Sequence, residues 1–181
     1  MSTPPSPTQV RVRDAGPADI ADIRAIYAHH VLHGIATFEE TPPSLDEMAA
    51  RREAVLKAGL PWLVAEVSGR VVGYCYATAY RPRPAYRHTV EDSVYLQHGM
   101  AGRGVGSALL RALIARCEQG PWRQMVAVVG NSANAGSLAL PRAQGFHTVG
   151  TLGAVGFKFG RWVDTVLMQR ALNGGDATLP S

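Results

Sequence analysis

The clearest chemical signal in this chain is a cluster of four glycines, Gly99, Gly102, Gly104 and Gly106, in one short stretch. Glycine tolerates positive φ and has no Cβ atom, so such a loop can bring several backbone N–H groups close to one anion. A run with strand character, residues 89–96, precedes the loop, and an apolar helical pattern follows it. The positive end of a helix dipole would then face the loop, so this order predicts a phosphate-binding site.

Two common phosphate loops do not fit these glycines. The nucleotide P-loop needs a lysine followed by serine or threonine, and no lysine lies near this stretch. The dinucleotide fingerprint Gly-x-Gly-x-x-Gly, begun at Gly102, would need glycine where Ser107 stands. Begun at Gly104, it would need glycine at Leu109. On these letters alone, an ordinary strand–helix turn remains an alternative.

Length and composition indicate a globular protein. In a chain of 181 residues we expect one domain over 10–172, with a disordered lead over 1–9 and a disordered tail over 173–181. No apolar run approaches the ~20 residues that cross a membrane. The N-terminal stretch also lacks the apolar core of a secretory signal. We therefore expect no membrane partner.

Charge and metal-type residues narrow the partners further. The net charge is +4, but the arginines are scattered and form no basic run, so we expect no nucleic-acid partner. Cys75 and Cys117 are the only cysteines and lack metal-type spacing, which fits a reduced, cytoplasmic protein. His29 and His33 lie one helical turn apart without an evident third ligand, so we expect no metal.

The elements that position the glycine loop follow the order β-α-α-β-β-β-α-β-α-β-β. Apolar periodicity and turn residues predict strands over 10–13, 62–67, 71–80, 89–96, 125–129, 146–152 and 163–169. Caps and breakers predict helices between Pro17 and Gly34, from Ser44 to Gly59, from the glycine loop to Gly120, and from Asn134 to Gln144. This pattern predicts a mixed α/β (α+β) fold with a mostly antiparallel, twisted sheet flanked by helices.

Residues 101–106 resemble the pyrophosphate loop of the GNAT acetyltransferases, with Ala101 where the family usually has arginine or glutamine. Within that superfamily the chain is most similar to the phosphinothricin and methionine sulfoximine N-acetyltransferases. The resemblance spans residues 10–172, and it rests on the stretches 36–40, 86–96, 134–146 and 156–169. It implies the GNAT fold and acetyl-CoA as co-substrate.

The resemblance also implies which residues hold the coenzyme. The pyrophosphate would bind the backbone of Gly102, Arg103, Gly104, Val105, Gly106 and Ser107, with Arg103 adding charge. Val94, Tyr95 and Leu96 would offer backbone groups to the pantetheine arm, and the Leu96 N–H would donate to the thioester oxygen. Asn134 would hydrogen-bond the pantetheine; its alternative role is a helix N-cap.

Transfer of an acetyl group to an amine needs a base, because only the neutral amine attacks. Glu91 is the family's base position, and it lies on the strand that leads into the glycine loop. Its alternative role is a solvated strand residue or an arginine partner. Asp92 should point to the opposite face of the strand, so we expect only one of the two to face the cleft.

The acceptor would be a small amino-acid-like amine, whose carboxylate or phosphinate suits arginine. The predicted substrate-binding residues are Phe38, Arg81, Pro82, Arg83, Tyr86, Val90, Glu91 and Asp92. Since the family often forms homodimers, we expect a homodimer as well.

Pro141 departs from the resemblance, because the family has histidine or tyrosine there, near the coenzyme sulfur. Proline cannot donate a proton, so water or Tyr95 would have to protonate the leaving thiolate. Two other functions stay open on the sequence: a protein or peptide N-acetyltransferase, and a weakly active acyl-CoA-binding module suggested by Ala101 and Pro141.

Overall fold

The computed structural model describes residues 9–133 and 135–180. Its strands are β1 (Val10–Asp14), β2 (Trp62–Val67), β3 (Arg70–Ala79), β4 (Thr89–Leu96), β5 (Gln124–Gly130), β6 (His147–Lys158) and β7 (Arg161–Ala171). Its α-helices are α1 (Ile20–His33), α2 (Leu45–Lys57), α3 (Val105–Cys117) and α4 (Ala135–Ala143). The predicted element order and the mixed α/β class are confirmed.

The strands form one sheet in the order β1-β2-β3-β4-β5-β7-β6. All neighbours are antiparallel except β4 and β5, which run parallel and are joined by the crossover helix α3. Helices α1 and α2 pack on one face of the sheet, called the α1 face here. Helices α3 and α4 pack on the other, the α3 face. The glycine loop lies between β4 and α3.

Local sequence accounts for the helix starts that bear on the site. Ser44 caps α2, because its Oγ accepts the Glu47 N–H at 3.1 Å and its own N–H donates to the Glu47 carboxylate at 2.6 Å. This capping box is the predicted one. Pro17 opens a short 3₁₀ turn over Pro17–Asp19, and α1 begins only at Ile20. Within the described ranges, no helix is long and apolar enough to cross a membrane.

The closing hairpin is longer than the sequence pattern predicts. β6 was expected to end at residue 152, but it continues to Lys158 through two register shifts. At the second shift Ala154 has φ 53°, and its N–H donates to the carboxylate of Asp164 at 2.9 Å. A tight turn at Phe159 and Gly160, both with positive φ, then starts β7. The period-two pattern did not predict this extension, because glycines and register shifts interrupt the alternation.

The C-terminal segment contacts the start of β5. Arg123 donates from Nη2 to Thr178 Oγ1 at 2.9 Å and to the Leu179 carbonyl at 2.7 Å. Its Nη1 donates to the carbonyl of Asn173. One guanidinium therefore ties this polar segment to the start of β5. The disorder expected over 173–181 stays a prediction. Residues 1–8 of the predicted disordered lead lie outside the described residues.

Candidate active site

A fork in the sheet forms the candidate active site. The parallel pairing of β4 and β5 extends from Thr89 opposite Gln124 to Asp92 opposite Ala127. Both strands continue beyond this point, β4 to Leu96 and β5 to Gly130, so a gap separates their ends. A cavity of about 280 Å³ occupies the gap. It is lined from both faces of the sheet by residues 35–38, 91–95, 127–130, Leu110, Ser137, Leu140 and Pro141.

The free edge of β4 presents backbone groups to this gap. The N–H of Gln97 donates to the Val72 carbonyl of β3 at 2.9 Å. Since backbone groups alternate along a strand, the N–H groups of Val94 and Leu96 point away from β3, toward the gap. The Leu96 carbonyl accepts from Nε2 of His30 on α1 at 2.7 Å, which fixes this end of the strand. No pattern in the sequence indicated this role for His30.

Glu91 lies on the α1 face, as Tyr95 does, whose ring packs edge-on against Tyr27 of α1 with centroids 5.0 Å apart. The carboxylate of Glu91 lines the cavity and is partly buried. Burial raises the pKa of Glu91 above its usual value, and the positive charge of Arg81 opposes part of that rise. A partly desolvated carboxylate of this kind is suited to take a proton from an amine.

Asp92 lies on the α3 face, and it too lines the cavity. Its Oδ1 atom is buried and has no hydrogen-bond partner among the described residues. Burial, with a smaller contribution from the charge of Glu91, raises the pKa of Asp92 to about 7, and its own backbone N–H opposes part of that rise. The two carboxyls point to opposite faces as predicted. All residues from Glu91 to Tyr95 line the cavity, and the expectation that only one of the two carboxyls faces the cleft stays a prediction.

The glycine loop has the backbone conformation that its composition predicts. Gly99, Gly102 and Gly104 have φ of 80°, 75° and 78°, and Gly104 is the N-cap of α3. Arg103 beside them is exposed and Ser107 is partly exposed. The backbone N–H groups at the start of α3 point out of the N-terminus of the helix, toward this loop.

Two other loop residues contribute packing as well as backbone. Val105 is 1% exposed, so its side chain belongs to the core. A Cβ atom added at Gly106 would lie 3.2 Å from Cδ2 of Leu140, so this glycine allows α3 and α4 to approach closely. Asn134, the predicted pantetheine contact just before α4, lies outside the described residues.

The predicted acceptor residues fall into three groups. Phe38 lines the cavity and is 42% exposed. The residues of the β3–β4 loop are exposed and do not line the cavity, although the charge of one of them acts on Glu91: Arg81, Pro82, Arg83 and Tyr86. Val90 is fully buried on the α3 face and does not reach the cavity. Val90 is paired with Met125, so it lies where β4 and β5 are still joined, before the fork opens.

Lys158 holds the loop that covers the α1 side of the cavity, here called the cover loop (residues 34–43). The lysine is 2% exposed, and its Nζ donates to the carbonyls of Gly34 and Thr37, each at 2.8 Å. Tyr27 adds a hydrogen bond between its hydroxyl and Thr37 Oγ1 at 2.8 Å. Residues 156–169 were among the stretches that carry the family resemblance, but the sequence did not predict what Lys158 contacts.

The histidines of α1 form a ring cluster with His98 of the β4–α3 loop. The ring centroid of His29 lies 5.0 Å from those of His33 and His98. Residues 9–133 and 135–180 contain no group of three or more His, Cys, Asp or Glu side chains arranged to hold a metal ion.

Comparisons with known proteins agree with this architecture. The model of the family described as Acetyltransferase (GNAT) domain matches residues 12–167. The chain is 58% identical to the phosphinothricin N-acetyltransferase of Alcaligenes faecalis, over 99% of this chain and 95% of that protein. It is 42% identical to the L-methionine sulfoximine/L-methionine sulfone acetyltransferase of Pseudomonas paraeruginosa, over 90% and 94%. A Sinorhizobium meliloti phosphinothricin acetyltransferase, solved in complex with AcCoA, has a TM-score of 0.92 at 49% identity, covering 95% and 93%.

Fold and comparisons together define an acetyl-CoA-dependent N-acetyltransferase. More specifically, the chain belongs to the GNAT acetyltransferase family. The predicted family, fold and co-substrate are thereby confirmed.

Proposed function

We propose that this chain acetylates the primary amine of a small amino-acid-like substrate, of the phosphinothricin or methionine sulfoximine type. Relatives named for these substrates support the class of acceptor. The observation that carries the proposal is the position of Glu91, partly buried at the cavity wall beneath the cover loop. The single domain predicted over 10–172 would carry the whole reaction.

In the proposed mechanism Glu91 removes a proton from the substrate ammonium, directly or through one water molecule. The neutral amine then attacks the thioester carbonyl, whose oxygen gains negative charge. The Leu96 N–H, which points into the gap, would donate to that oxygen. When the C–S bond breaks, the acetyl group remains on the amine.

The remaining predicted residues serve binding. The backbone N–H groups from Gly102 to Ser107 would bind the pyrophosphate, with Arg103 adding positive charge. Val94 and Tyr95 would align the pantetheine arm, together with Asn134. Arg81 and Arg83 would attract the acid group of the acceptor, and Phe38 would form the cavity wall beside it.

We further propose that the protein is a cytoplasmic homodimer. The edge strand β6 and its turn to β7 expose several large apolar side chains, the chemistry expected of a surface that a second copy covers. They are Val149, Leu152, Val155, Phe157, Phe159 and Trp162, here called the hairpin patch. Both cysteines are buried and unpaired, which suits a reducing compartment.

The variant Glu91→Gln tests the proposed base. The purified wild type is expected to release coenzyme A only when phosphinothricin, methionine sulfoximine or a related amine is added. Glu91→Gln should lower kcat by on the order of 100-fold or more, while the acetyl-CoA dissociation constant measured by calorimetry stays the same. Glu53→Gln, an exposed change on α2, serves as the control. A wild type that binds acetyl-CoA but acetylates no amine in the panel would instead support a binding module.

A further inference from the structure

The chain lacks an obvious proton donor for the leaving group of its reaction. Pro141 of α4 lines the cavity on the α3 face, and proline has no side-chain proton to give. Tyr95 packs on the α1 face against Tyr27, and burial raises its pKa well above the usual value, which makes its hydroxyl a weaker acid. Neither residue supplies a suitable acid on the side of the cavity that Pro141 lines.

Asp92 lies where such an acid is needed. It is the last β4 residue paired with β5, so its side chain leaves the sheet at the base of the fork. It shares the α3 face and the cavity wall with Leu140 and Pro141. Oδ1 of Asp92 is buried without a hydrogen-bond partner in the described part of the chain. Burying such an oxygen costs free energy, so its presence here calls for a functional explanation.

We propose that Asp92, in its neutral form, is the general acid that protonates the departing thiolate of coenzyme A. This inference rests on the proposed acetyl transfer and adds a second catalytic carboxyl to it.

The step balances without any further reactant. Glu91 takes the first proton from the ammonium, and the neutral nitrogen then forms the new bond to the acetyl carbon. The second proton that this nitrogen loses, as the amide forms, passes to water. As the tetrahedral intermediate collapses, the C–S electron pair goes to sulfur. The carboxyl proton of Asp92 moves to the same sulfur, giving the free thiol of coenzyme A and an Asp92 carboxylate. Proton exchange with water then restores the neutral acid and the Glu91 carboxylate.

The surroundings of Asp92 favour its neutral form. The charge of Glu91, beside it on β4, acts on Asp92, and the charge of Asp92 in turn acts on Cys75 of β3 and Cys117 of α3. A negative charge on any of the three would oppose a second one on Asp92. Burial raises the pKa of each thiol, so both stay protonated near neutral pH. No cation is among the groups that act on Asp92.

Two adjacent carboxyls thus take opposite tasks because a strand alternates its faces. Glu91 meets the amine on the α1 face, where Arg81 helps to keep it ionised. Asp92 meets the sulfur on the α3 face, where burial raises its pKa to about 7, so that the protonated form is well populated near neutral pH. Paired carboxyls whose environments push their pKa values apart are a recurring way to build one base and one acid in a site.

The test compares Asp92→Asn with the wild type in single-turnover experiments. The preformed acetyl-CoA complex is mixed with a good amine substrate, and the N-acetyl product is quantified between pH 5 and 9. We expect the variant to transfer on the order of 100-fold more slowly at pH 7, with unchanged acetyl-CoA affinity. The wild-type rate should fall as pH rises above about 7, and the variant should lack this alkaline limb.

Pro141→His restores a donor at the position where the family has one, so it provides a rescue. The double variant Asp92→Asn/Pro141→His should recover most of the lost rate. The proposal would be overturned if Asp92→Asn alone transferred acetyl groups as fast as the wild type. It would also be overturned if Asp92→Asn were slow but kept the alkaline limb. If the wild type itself transfers no acetyl group to any amine tested, the proposed function fails and this inference falls with it.

Discussion

At the level of single residues, Glu91 determines how transfer should depend on pH at the acidic end. Its pKa is raised above 4.5 by burial, and the charge of Arg81 opposes part of the rise. A general base works only when deprotonated, so kcat should increase with pH through this raised pKa. Arg81→Gln removes the positive charge, so the pKa of Glu91 should rise further and the acidic limb of the kcat profile should move to higher pH. The measurement is a pH profile of kcat at saturating amine.

The matched control for that shift is Arg83→Gln. Arg83 belongs to the same exposed loop, but only Arg81 is among the charges that act on Glu91. Arg83→Gln should therefore leave the limb in place, whatever it does to the KM of the amine. Equal shifts in the two variants would contradict a specific effect of Arg81 and indicate a general effect of surface charge.

Asp92 makes a separate prediction about stability, which requires no substrate. Its pKa is about 7 in the folded protein against an ordinary 3.8, so between these values the folded state binds more protons than the unfolded state. Stability should therefore fall as pH rises through this window. Asp92→Asn lacks this penalty, so its Tm relative to wild type should rise by several degrees from pH 4 to 8. About 1 kcal/mol shifts Tm by roughly 2–4 °C in a chain of this size.

Asp164→Asn should show the opposite trend and serves as the control. Hydrogen bonds from the Ala154 N–H and the Ser132 hydroxyl lower the pKa of Asp164. Its stabilisation is present at neutral pH and is lost as pH falls through the lowered pKa. The variant should thus lose most stability near pH 7, as seen in thermal unfolding by circular dichroism. Parallel curves for the two variants would contradict both assignments.

At the level of elements, the cover loop depends on contacts from the closing hairpin. A Cβ atom added at Gly156 would lie only 2.5 Å from the Cζ atom of Phe38. Gly156→Ala should push the Phe38 ring from this place and raise the amine KM roughly tenfold or more, since small displacements at a reacting centre are costly. The KM of acetyl-CoA should change little.

Gly153→Ala is the matched control for Gly156→Ala. It lies on the same strand β6, and no atom stands within 4 Å of its added Cβ. Steady-state kinetics with each substrate varied in turn would measure both variants. A similar rise in the amine KM for both would show that glycine flexibility, and not the contact with Phe38, matters here.

Lys158→Met tests the second contact of the hairpin with the cover loop. The change removes two hydrogen bonds to the carbonyls of Gly34 and Thr37. Each partly buried carbonyl left without a donor costs up to about 1–3 kcal/mol, so Tm should fall. The amine KM should rise more than that of acetyl-CoA, because the loop covers only the α1 side. An equal rise in both would contradict this division.

Local sequence patterns predicted the helices and strands but not the contacts between distant elements. Periodicity, caps and turn residues predicted the elements, and the glycine loop predicted where backbone N–H groups would be exposed. Val90, a predicted substrate-binding residue, does not line the cavity, because it lies where β4 and β5 are still paired. The fork could not be predicted, since where β4 and β5 stop pairing depends on packing between distant elements. The contact of Lys158 with the carbonyl of Gly34 spans 124 residues, and no local pattern reports it.

At the level of the whole molecule, the hairpin patch leads to a prediction about assembly. Trp162 is 68% exposed and packs edge-on against Phe157, which is 56% exposed, at 5.1 Å between ring centroids. These rings lie on the last two strands of the sheet, and β6 has a free edge. Water-exposed aromatic pairs on an edge strand are unfavourable unless another surface covers them. A second copy of the chain is the proposed cover.

Trp162→Glu should therefore convert a dimer into a monomer, because a carboxylate in an apolar interface loses hydration without gaining a partner. Light scattering coupled to size exclusion would give the mass of each species. Leu179→Glu is the control, since Leu179 is 91% exposed but lies outside the hairpin patch. Because β6 also supplies Gly156 and Lys158, which contact the cover loop, the monomer should show a higher amine KM as well. A wild type that is monomeric at micromolar concentration, or a Trp162→Glu variant that stays dimeric, would contradict this assembly.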